Sequence, residues 1–326
     1  MGGGVDKMVR KIAFLFPGQG SQYVGMGKSL FDNFTPAKEI FDIAEDVLRW
    51  DIKGLCFNNI DDKINLTEYT QPAILVTSIA AWGVLSEEGI TPEAVAGHSL
   101  GEYSAIVAAG GLPLTDALPV VQHRGRFMQD AVPKDSGMMA ALLGISKSDV
   151  IEVCKSVTTN GEGIVTPANF NTTEQIVIAG TVVEVQKAME LAKAKGAKKI
   201  IPLNVSVPSH TPLMQPASGK LSVVLENILF SNINIPLITN VDSTAVNNAV
   251  DIKDALVRQL TNPVRWDDSM QFLVTRGFNT FVEVGPGRVL SGLQKRIAKE
   301  LNATVDVFNV EDLDSFKKTV ELLKTI

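Results

Sequence analysis

The sequence predicts an α/β fold in which a parallel sheet carries a smaller inserted unit. Near its start, a short apolar run from Ile12 to Phe16 ends at Pro17-Gly18, and helical and strand-like segments then alternate. This alternation is typical of a parallel sheet covered by helices. Between residues 135 and 206 the order becomes strand, helix, strand, strand, helix, strand, which is the order of a ferredoxin-like unit.

Local signals predict each further element. A helix over 71–88 would have Thr70 as its cap and Pro72 in its first turn. The inserted unit would have strands at 138–143, 164–169, 175–179 and 199–203, with helices at 146–158 and 183–195. Outside it we expect strands at 94–96, 235–239 and 280–284, with helices at 115–131, 215–229 and 251–260. The predicted domains are a discontinuous α/β catalytic domain, residues 8–134 and 207–326, and an inserted subdomain, residues 135–206.

Composition excludes several classes of protein. The chain of 326 residues is 45% hydrophobic and has a formal net charge of −6, so a nucleic-acid partner is not expected. No apolar run reaches the roughly 18 residues of a membrane span, and the first residues lack the apolar stretch of a signal peptide. Cys56 and Cys154 are isolated in sequence, which favours a cytoplasmic location and burial as small hydrophobes.

Gly97-His98-Ser99-Leu100-Gly101 fits the pattern G-x-S-x-G. Small residues on both sides are needed where a serine nucleophile sits on a sharp turn between a strand and a helix. The predicted strand at 94–96 and a good helix start at Glu102 provide that context, as in the α/β-hydrolase fold. The alternative is an ordinary glycine turn between two elements.

A serine nucleophile needs a base, and the chain has 3 histidines. His98 adjoins Ser99 on the turn, so its side chain should point away from the hydroxyl. His123 falls in the middle of a predicted helix. His210 lies in a loop bounded by Pro208 and Pro212, and loops at strand ends often carry catalytic groups. Elimination therefore favours His210, although a solvent-facing loop histidine is the simpler alternative.

The glycine loop Pro17 to Gln22 follows the first strand directly. A dinucleotide site is excluded because Tyr23 stands where G-x-G-x-x-G requires its third glycine, and no P-loop motif occurs. The glycines would let backbone come close to a reacting carbonyl, as in the oxyanion hole of serine hydrolases. A plain turn between strand and helix remains the alternative.

Arg124 shares a predicted helix face with Val121 and Met128. An arginine between two apolar residues either extends to the surface or awaits an anionic partner. With a serine acyl-transfer site nearby, a substrate carboxylate would match the guanidinium group.

Taken together, these motifs resemble the malonyl-CoA:acyl carrier protein transacylases of fatty acid synthesis. The resemblance extends from about Lys11 to Ile297, and the form of the loop before His210 is similar to the stand-alone bacterial enzymes. The matching segments are 16–22, 70–73, 97–103, 124–129, 169–171, 205–210, 262–266 and 283–287.

The resemblance implies roles for seven residues. Ser99 would carry the malonyl ester, His210 would act as base and acid, and a backbone carbonyl at Gln259 would orient the histidine. The remaining implied roles are oxyanion donation by the amides of Gln19 and Leu100, carboxylate binding by Arg124, and a place near the pantetheine arm for Asn169. Malonyl-CoA and acyl carrier protein would be the partners, and no metal or redox cofactor would be required.

Two other classes of protein remain open at this stage. A serine hydrolase or lipase of similar fold would share the G-x-S-x-G motif, but it has no need for an arginine beside the acyl group. A non-catalytic module that docks a carrier protein would not need Ser99 and His210 together.

Overall fold

The computed structural model describes residues 10–324 with the exception of residues 161, 204 and 206. The first residues, the last two, and Ser206 of the predicted 205–210 motif therefore lie outside it. The strands are β1 (Ile12–Phe16), β2 (Ala94–Gly97), β3 (Gly137–Leu143), β4 (Val165–Thr172), β5 (Gln175–Thr181), β6 (Lys199–Pro202), β7 (Leu237–Ile238), β8 (Ala245–Val246), β9 (Thr280–Val284) and β10 (Asp306–Val310).

Helices cover both sheets. They are α1 (Lys28–Asn33), α2 (Thr35–Leu48), α3 (Ile52–Asn58), α4 (Thr67–Glu87), α5 (Gly101–Ala108), α6 (Leu114–Gln129), α7 (Lys147–Asn160), α8 (Val182–Ala194), α9 (Gln215–Glu226), α10 (Ala249–Gln259), α11 (Trp266–Thr275), α12 (Val289–Glu300) and α13 (Leu313–Lys324). Within the described residues, no helix is both long enough and apolar enough to cross a membrane.

The larger sheet has the strand order β10-β9-β1-β2-β7-β8. Every pair is parallel except the last, in which the two-residue strand β8 runs antiparallel to β7. Since the carboxyl ends of parallel strands meet at one edge, the loops after β1, β2 and β7 lie together there. This edge positions the site described below.

The smaller sheet is antiparallel, with the order β4-β5-β3-β6. Its strands alternate with α7 and α8 in the predicted order of a ferredoxin-like unit. The predicted fold class, a parallel α/β sheet with an inserted ferredoxin-like unit, is confirmed. The division into 8–134 with 207–326, and 135–206, stays a prediction about domain boundaries, and its outermost residues lie outside the described part of the chain.

The predicted start of the long central helix is wrong. The helix α4 begins at Thr67, so Thr70 lies inside it and Pro72 is its sixth residue. The Thr70 hydroxyl donates to the carbonyl oxygen of Ile64 at 2.6 Å, and the amide of Glu68 donates to Gln129 Oε1 at 2.7 Å. The second contact comes from α6, 61 residues away, and local sequence signals cannot reveal a partner at that distance.

Both cysteines lie in hydrophobic cores. Cys56, on α3, is fully buried in the core that includes Phe14 and Phe16 of β1, and Cys154 packs inside the inserted unit. Neither forms a disulfide. Because burial disfavours the charged thiolate, the pKa of each thiol is raised to about 12. They are therefore packed as small hydrophobes, as expected from the sequence.

Two loops at the sheet edge approach each other so closely that only glycine fits between them. A Cβ on Gly18 would lie 2.2 Å from the carbonyl oxygen of His98, and one on Gly101 would lie 2.0 Å from that of Phe16. The loop after β1 is thereby pressed against the turn between β2 and α5. This contact brings Gln19 next to Ser99.

We expect Gly101→Ala to lower the free energy of unfolding by about 2 kcal/mol or more, because backbone must move to admit the methyl group. Gly292→Ala in α12 is the control, since a methyl group on Gly292 would meet no atom within 4 Å among the described residues. There alanine should be neutral or stabilise by up to about 1 kcal/mol through helix propensity. Denaturant unfolding of both variants measures the difference, and equal stabilities would contradict the close approach.

Candidate active site

Ser99 lies on the turn between β2 and α5 with a backbone φ of 52°. This left-handed conformation is uncommon for a residue other than glycine and needs support from its surroundings. The support includes the side chain of Asn240, whose Oδ1 accepts a hydrogen bond from the Ser99 amide at 2.7 Å. The strained turn presents the Ser99 hydroxyl to a pocket of about 360 Å³.

Asn240 was not predicted from the sequence. It follows shortly after β7, and its Nδ2 also donates to the carbonyl oxygen of Gly97 at 2.6 Å. One buried amide therefore holds both sides of the nucleophile turn. The available signal was its place at the carboxyl end of a parallel strand, on the same sheet edge as the predicted Ser99 turn.

His210 also has a left-handed backbone, with a φ of 64°. Its Nε2 lies 2.8 Å from Ser99 Oγ, and its Nδ1 lies 2.8 Å from the carbonyl oxygen of Gln259. Burial, reinforced by the positive charge of Arg124, lowers the pKa of His210 to about 3. The imidazole is therefore neutral near pH 7. With its Nδ1 proton donated to the carbonyl, its Nε2 is free to accept the proton of the serine.

The other two histidines are engaged elsewhere. His98 pairs through Nε2 with Asn171 Oδ1 at 2.9 Å, and its ring packs against Trp266. His123 is exposed on α6 and stacks on Phe127. Of the three histidines, only His210 is hydrogen-bonded to Ser99 within the described residues.

Arg124 is 1% exposed, so it does not extend to the surface. One of its terminal nitrogens donates to Gln71 Oε1 at 2.8 Å. The other donates to Gln259 Oε1 at 2.8 Å and to Ser99 Oγ at 3.1 Å. All three acceptors are uncharged, which leaves the guanidinium charge without a direct counter-ion among the described residues.

The side chain of Gln259 joins Arg124 to a buried acid. Its Nε2 donates to Glu102 Oε2 at 2.6 Å and to the carbonyl oxygen of Ser99 at 2.9 Å. Glu102 is fully buried on α5. Burial raises its pKa to about 7, although its hydrogen bonds and the charge of Arg124 oppose that rise. Neither Glu102 nor Gln71 was predicted from the sequence to be a site residue; the available signal was a polar side chain in a mostly apolar helix.

The remaining predicted residues lie around the same turn. Gln19 and Asn169 line the pocket with Ser99, and the side chain of Gln19 donates to Thr67 Oγ1. Leu100 is buried and immediately precedes α5. Backbone amides at the start of a helix have no partner within it, so they are available to other acceptors. The structure therefore brings all seven predicted residues to one region.

The geometry defines a class of enzyme. A hydroxyl within hydrogen-bond distance of a neutral, oriented imidazole is the arrangement of a serine nucleophile with its base. A buried cation beside that hydroxyl adds a binding point for an anionic group. The fold and site are those of a serine acyl-transfer enzyme.

Comparisons with known proteins agree with this class. The family model described as "Acyl transferase domain" matches residues 13–315, and the chain belongs to this family. The malonyl CoA-acyl carrier protein transacylase of Bacillus subtilis is 45% identical over 314 residues, which is 96% of this chain and 98% of that protein. The Escherichia coli K12 protein of the same name is 44% identical, over 90% of this chain and 95% of its own length.

Solved structures give the same result. An enzyme of Streptococcus pneumoniae described as MCAT superposes with a TM-score of 0.90 at 45% identity, covering 96% of this chain and 100% of that one. A malonyl-transacylase solved in complex with a type II PKS acyl-carrier protein gives a TM-score of 0.92 at 43% identity. The match covers 96% of this chain and 99% of that one.

Proposed function

We propose that this chain transfers a malonyl group from malonyl-CoA to the phosphopantetheine thiol of acyl carrier protein, through an ester on Ser99. The main support is that the Ser99 hydroxyl oxygen contacts both His210 and Arg124. Ser99 Oγ lies 2.8 Å from His210 Nε2 and 3.1 Å from a terminal nitrogen of Arg124. Nucleophile, base and carboxylate-binding cation are then provided together.

The first half of the reaction acylates the enzyme. His210 Nε2 takes the proton of Ser99 as the oxygen attacks the thioester carbonyl, and the carbonyl of Gln259 stabilises the resulting imidazolium through Nδ1. The tetrahedral oxygen would be bound by the backbone amides of Gln19 and Leu100. Collapse breaks the carbon–sulfur bond, and His210 returns the proton to the departing thiolate.

The second half repeats these steps in reverse with a different thiol. The carrier's phosphopantetheine thiol enters after CoA leaves, so the kinetics are ping-pong. His210 deprotonates the thiol, and Ser99 departs with the proton. Asn169, at the pocket wall on β4, would lie beside the pantetheine arm of both donor and acceptor. All groups in these steps belong to the protein and its two substrates.

Arg124 distinguishes this reaction from ester hydrolysis by a lipase-like enzyme. Among the described residues, the buried guanidinium donates only to neutral oxygens, which favours an acyl group that brings its own negative charge. A malonyl carboxylate meets that requirement, whereas an acetyl or fatty acyl chain does not.

We also propose a cytoplasmic location and a role in fatty acid biosynthesis. Two unpaired cysteines fit a reducing compartment. The solved complex with a type II PKS carrier supports polyketide synthesis as the second candidate. Transfer rates to purified carriers of each type would separate the two roles.

Intact-mass measurement after mixing with malonyl-CoA tests the proposed function. The wild-type protein should gain the mass of one malonyl group, and Ser99→Ala should remain folded and gain none, because the nucleophile is lost. A malonyl adduct on the variant would mean that another residue is the nucleophile.

His210→Ala should slow acylation by about 10²- to 10⁴-fold, since the base and its orientation are lost together. His98→Ala should cost much less, because the His98 ring pairs with Asn171 rather than with the serine. Rapid-quench measurement of ester formation compares the two. An equal loss in both variants would reject His210 as the specific base.

Arg124→Ala should reduce kcat/KM for malonyl-CoA by roughly 30- to several-thousand-fold, because the substrate carboxylate would be buried unpaired. Transfer from acetyl-CoA should hold steady or rise. Arg124→Lys should retain only part of the malonyl activity, because the ammonium group of lysine cannot form the planar, two-nitrogen contact that a guanidinium makes with a carboxylate. Arg126→Ala, on the exposed face of the same helix, is the matched control.

Steady-state kinetics with both substrates decide this prediction, and thermal unfolding checks that each variant is folded. Equal losses for malonyl and acetyl would make Arg124 a structural residue.

Basic residues at the end of the inserted unit are the candidate docking surface for an acidic carrier. Lys193, Lys195, Lys198 and Lys199 are all exposed. Lys195 pairs with Glu152 at 2.8 Å, and Lys198 lies 3.9 Å from Glu174. A second candidate is the pair Lys295 and Arg296 on α12. Complementary charge would steer the carrier toward either surface.

Transfer to the carrier should weaken as salt rises, while acylation by malonyl-CoA changes less. Charge reversal at the two candidate surfaces should raise the KM for carrier, whereas Lys38→Glu on α2 should not. An unchanged carrier KM after reversal at both surfaces would remove this docking hypothesis.

A further inference from the structure

Glu102 and Arg124 form a buried pair of opposite charges held apart by one amide. Glu102 is 0% exposed and Arg124 is 1% exposed. The side chain of Gln259 stands between them, donating to Glu102 Oε2 at 2.6 Å and accepting from Arg124 at 2.8 Å. When Glu102 is ionised, the two charges therefore balance, although they do not touch.

A substrate carboxylate adds a third charge to this desolvated cluster. Unbalanced charge in a protein interior costs several kcal/mol, and buried groups usually change their protonation instead. Arginine does not lose its proton in proteins. The acyl carboxylate stays ionised because it contacts the guanidinium directly. Glu102 is the remaining member of the cluster that can change its charge.

We infer that Glu102 takes up a proton when the acyl carboxylate pairs with Arg124, so that the buried site keeps its charge balance. This inference rests on the proposed function. It makes Glu102 a specificity-determining residue, because only an acyl group that carries a charge would require the proton.

The groups facing Glu102 support this assignment. Burial raises the pKa of Glu102 to about 7, and the positive charge of Arg124 on α6 acts in the opposite direction by lowering it. Pairing Arg124 with a carboxylate offsets that influence, so the pKa of Glu102 rises further. The two hydrogen bonds to the Glu102 carboxyl, from the Gln259 side chain and the Asn240 backbone amide, come from neutral donors.

The other titratable groups nearby are poor acceptors of this proton. Asp242, in the turn after β7, pairs with Arg258 at 2.6 Å, which holds its pKa below the usual range. The pKa of His210 is lowered to about 3, far from neutrality. Burial raises the pKa of Tyr103, which therefore keeps its own proton near pH 7.

Proton uptake during acylation tests the inference directly. Transfer of the acyl group from sulfur to Ser99 moves the hydroxyl proton to the CoA thiol. An alkyl thiol is no more acidic than free cysteine, whose pKa is about 8.5, so the chemical step itself is nearly proton-neutral at pH 7.5. Stoichiometric malonyl-CoA in weakly buffered indicator solution should consume roughly half a proton per ester formed. Acetyl-CoA should consume close to none.

Two variants identify the group that takes the proton. Glu102→Gln should abolish the malonyl-specific uptake. Glu283→Gln is the matched control, because Glu283 is equally buried, has a pKa raised to about 7, and caps α12 through the amides of Leu290 and Ser291. Its uptake should equal that of the wild type. Uptake that persists in Glu102→Gln, or that acetyl-CoA causes equally, would overturn the inference.

The wild-type protein provides a second readout if Glu102→Gln does not fold. Above the pKa of Glu102, the fraction of protein in which this carboxyl is protonated falls tenfold for each pH unit. Binding of a charged acyl group requires that protonated form. The ratio of kcat/KM for malonyl-CoA to that for acetyl-CoA should therefore fall by about tenfold between pH 6 and pH 8. A constant ratio would contradict the inference.

Intact mass distinguishes failure of the proposed function from failure of the role of Glu102. Without a malonyl adduct in the wild-type protein, the proposed function itself fails. With the adduct but without malonyl-specific proton uptake, only the role of Glu102 fails.

Discussion

The desolvated guanidinium of Arg124 is the constraint around which the site is arranged. A buried cation must be hydrogen-bonded, yet a carboxylate in direct contact would occupy the position that an anionic substrate needs. Two glutamine oxygens and the serine hydroxyl accept hydrogen bonds from its two terminal nitrogens without neutralising it, whereas its Nε has no partner among the described residues. The countercharge on Glu102 is kept one amide away. This separation lets the protein fold around the cation while leaving it able to bind an anion.

The second constraint is backbone strain at both reacting residues. Ser99 and His210 each have a positive φ, which tertiary contacts must maintain. The amide side chain of Asn240 holds the serine turn, and the backbone carbonyl of Gln259 holds the imidazole. Because α10 ends at Gln259, the same residue orients the histidine through its backbone and the arginine through its side chain. A shift of this helix end would disturb both.

Much of the fold and several site residues were predictable because their signals are local. Apolar runs and helical spacing revealed the parallel sheet and the inserted unit, and G-x-S-x-G revealed the nucleophile turn. Elimination among three histidines gave His210. The start of α4 was misplaced because a side chain on α6 stabilises its first turn. Asn240 and Glu102 were missed for the same reason, since their importance arises from partners 138 to 157 residues away along the chain.

The burial of both cysteines determines how the folded protein behaves toward thiol reagents. A thiol whose pKa is near 12 is almost entirely protonated at neutral pH, and only the thiolate reacts quickly with electrophiles. Cys56 and Cys154 should therefore not react with chromogenic thiol reagents while the protein stays folded. CoA liberated from its thioester would be the reactive thiol in such a mixture. Its release can then be followed continuously by absorbance, and any slow additional signal would report unfolding of the protein.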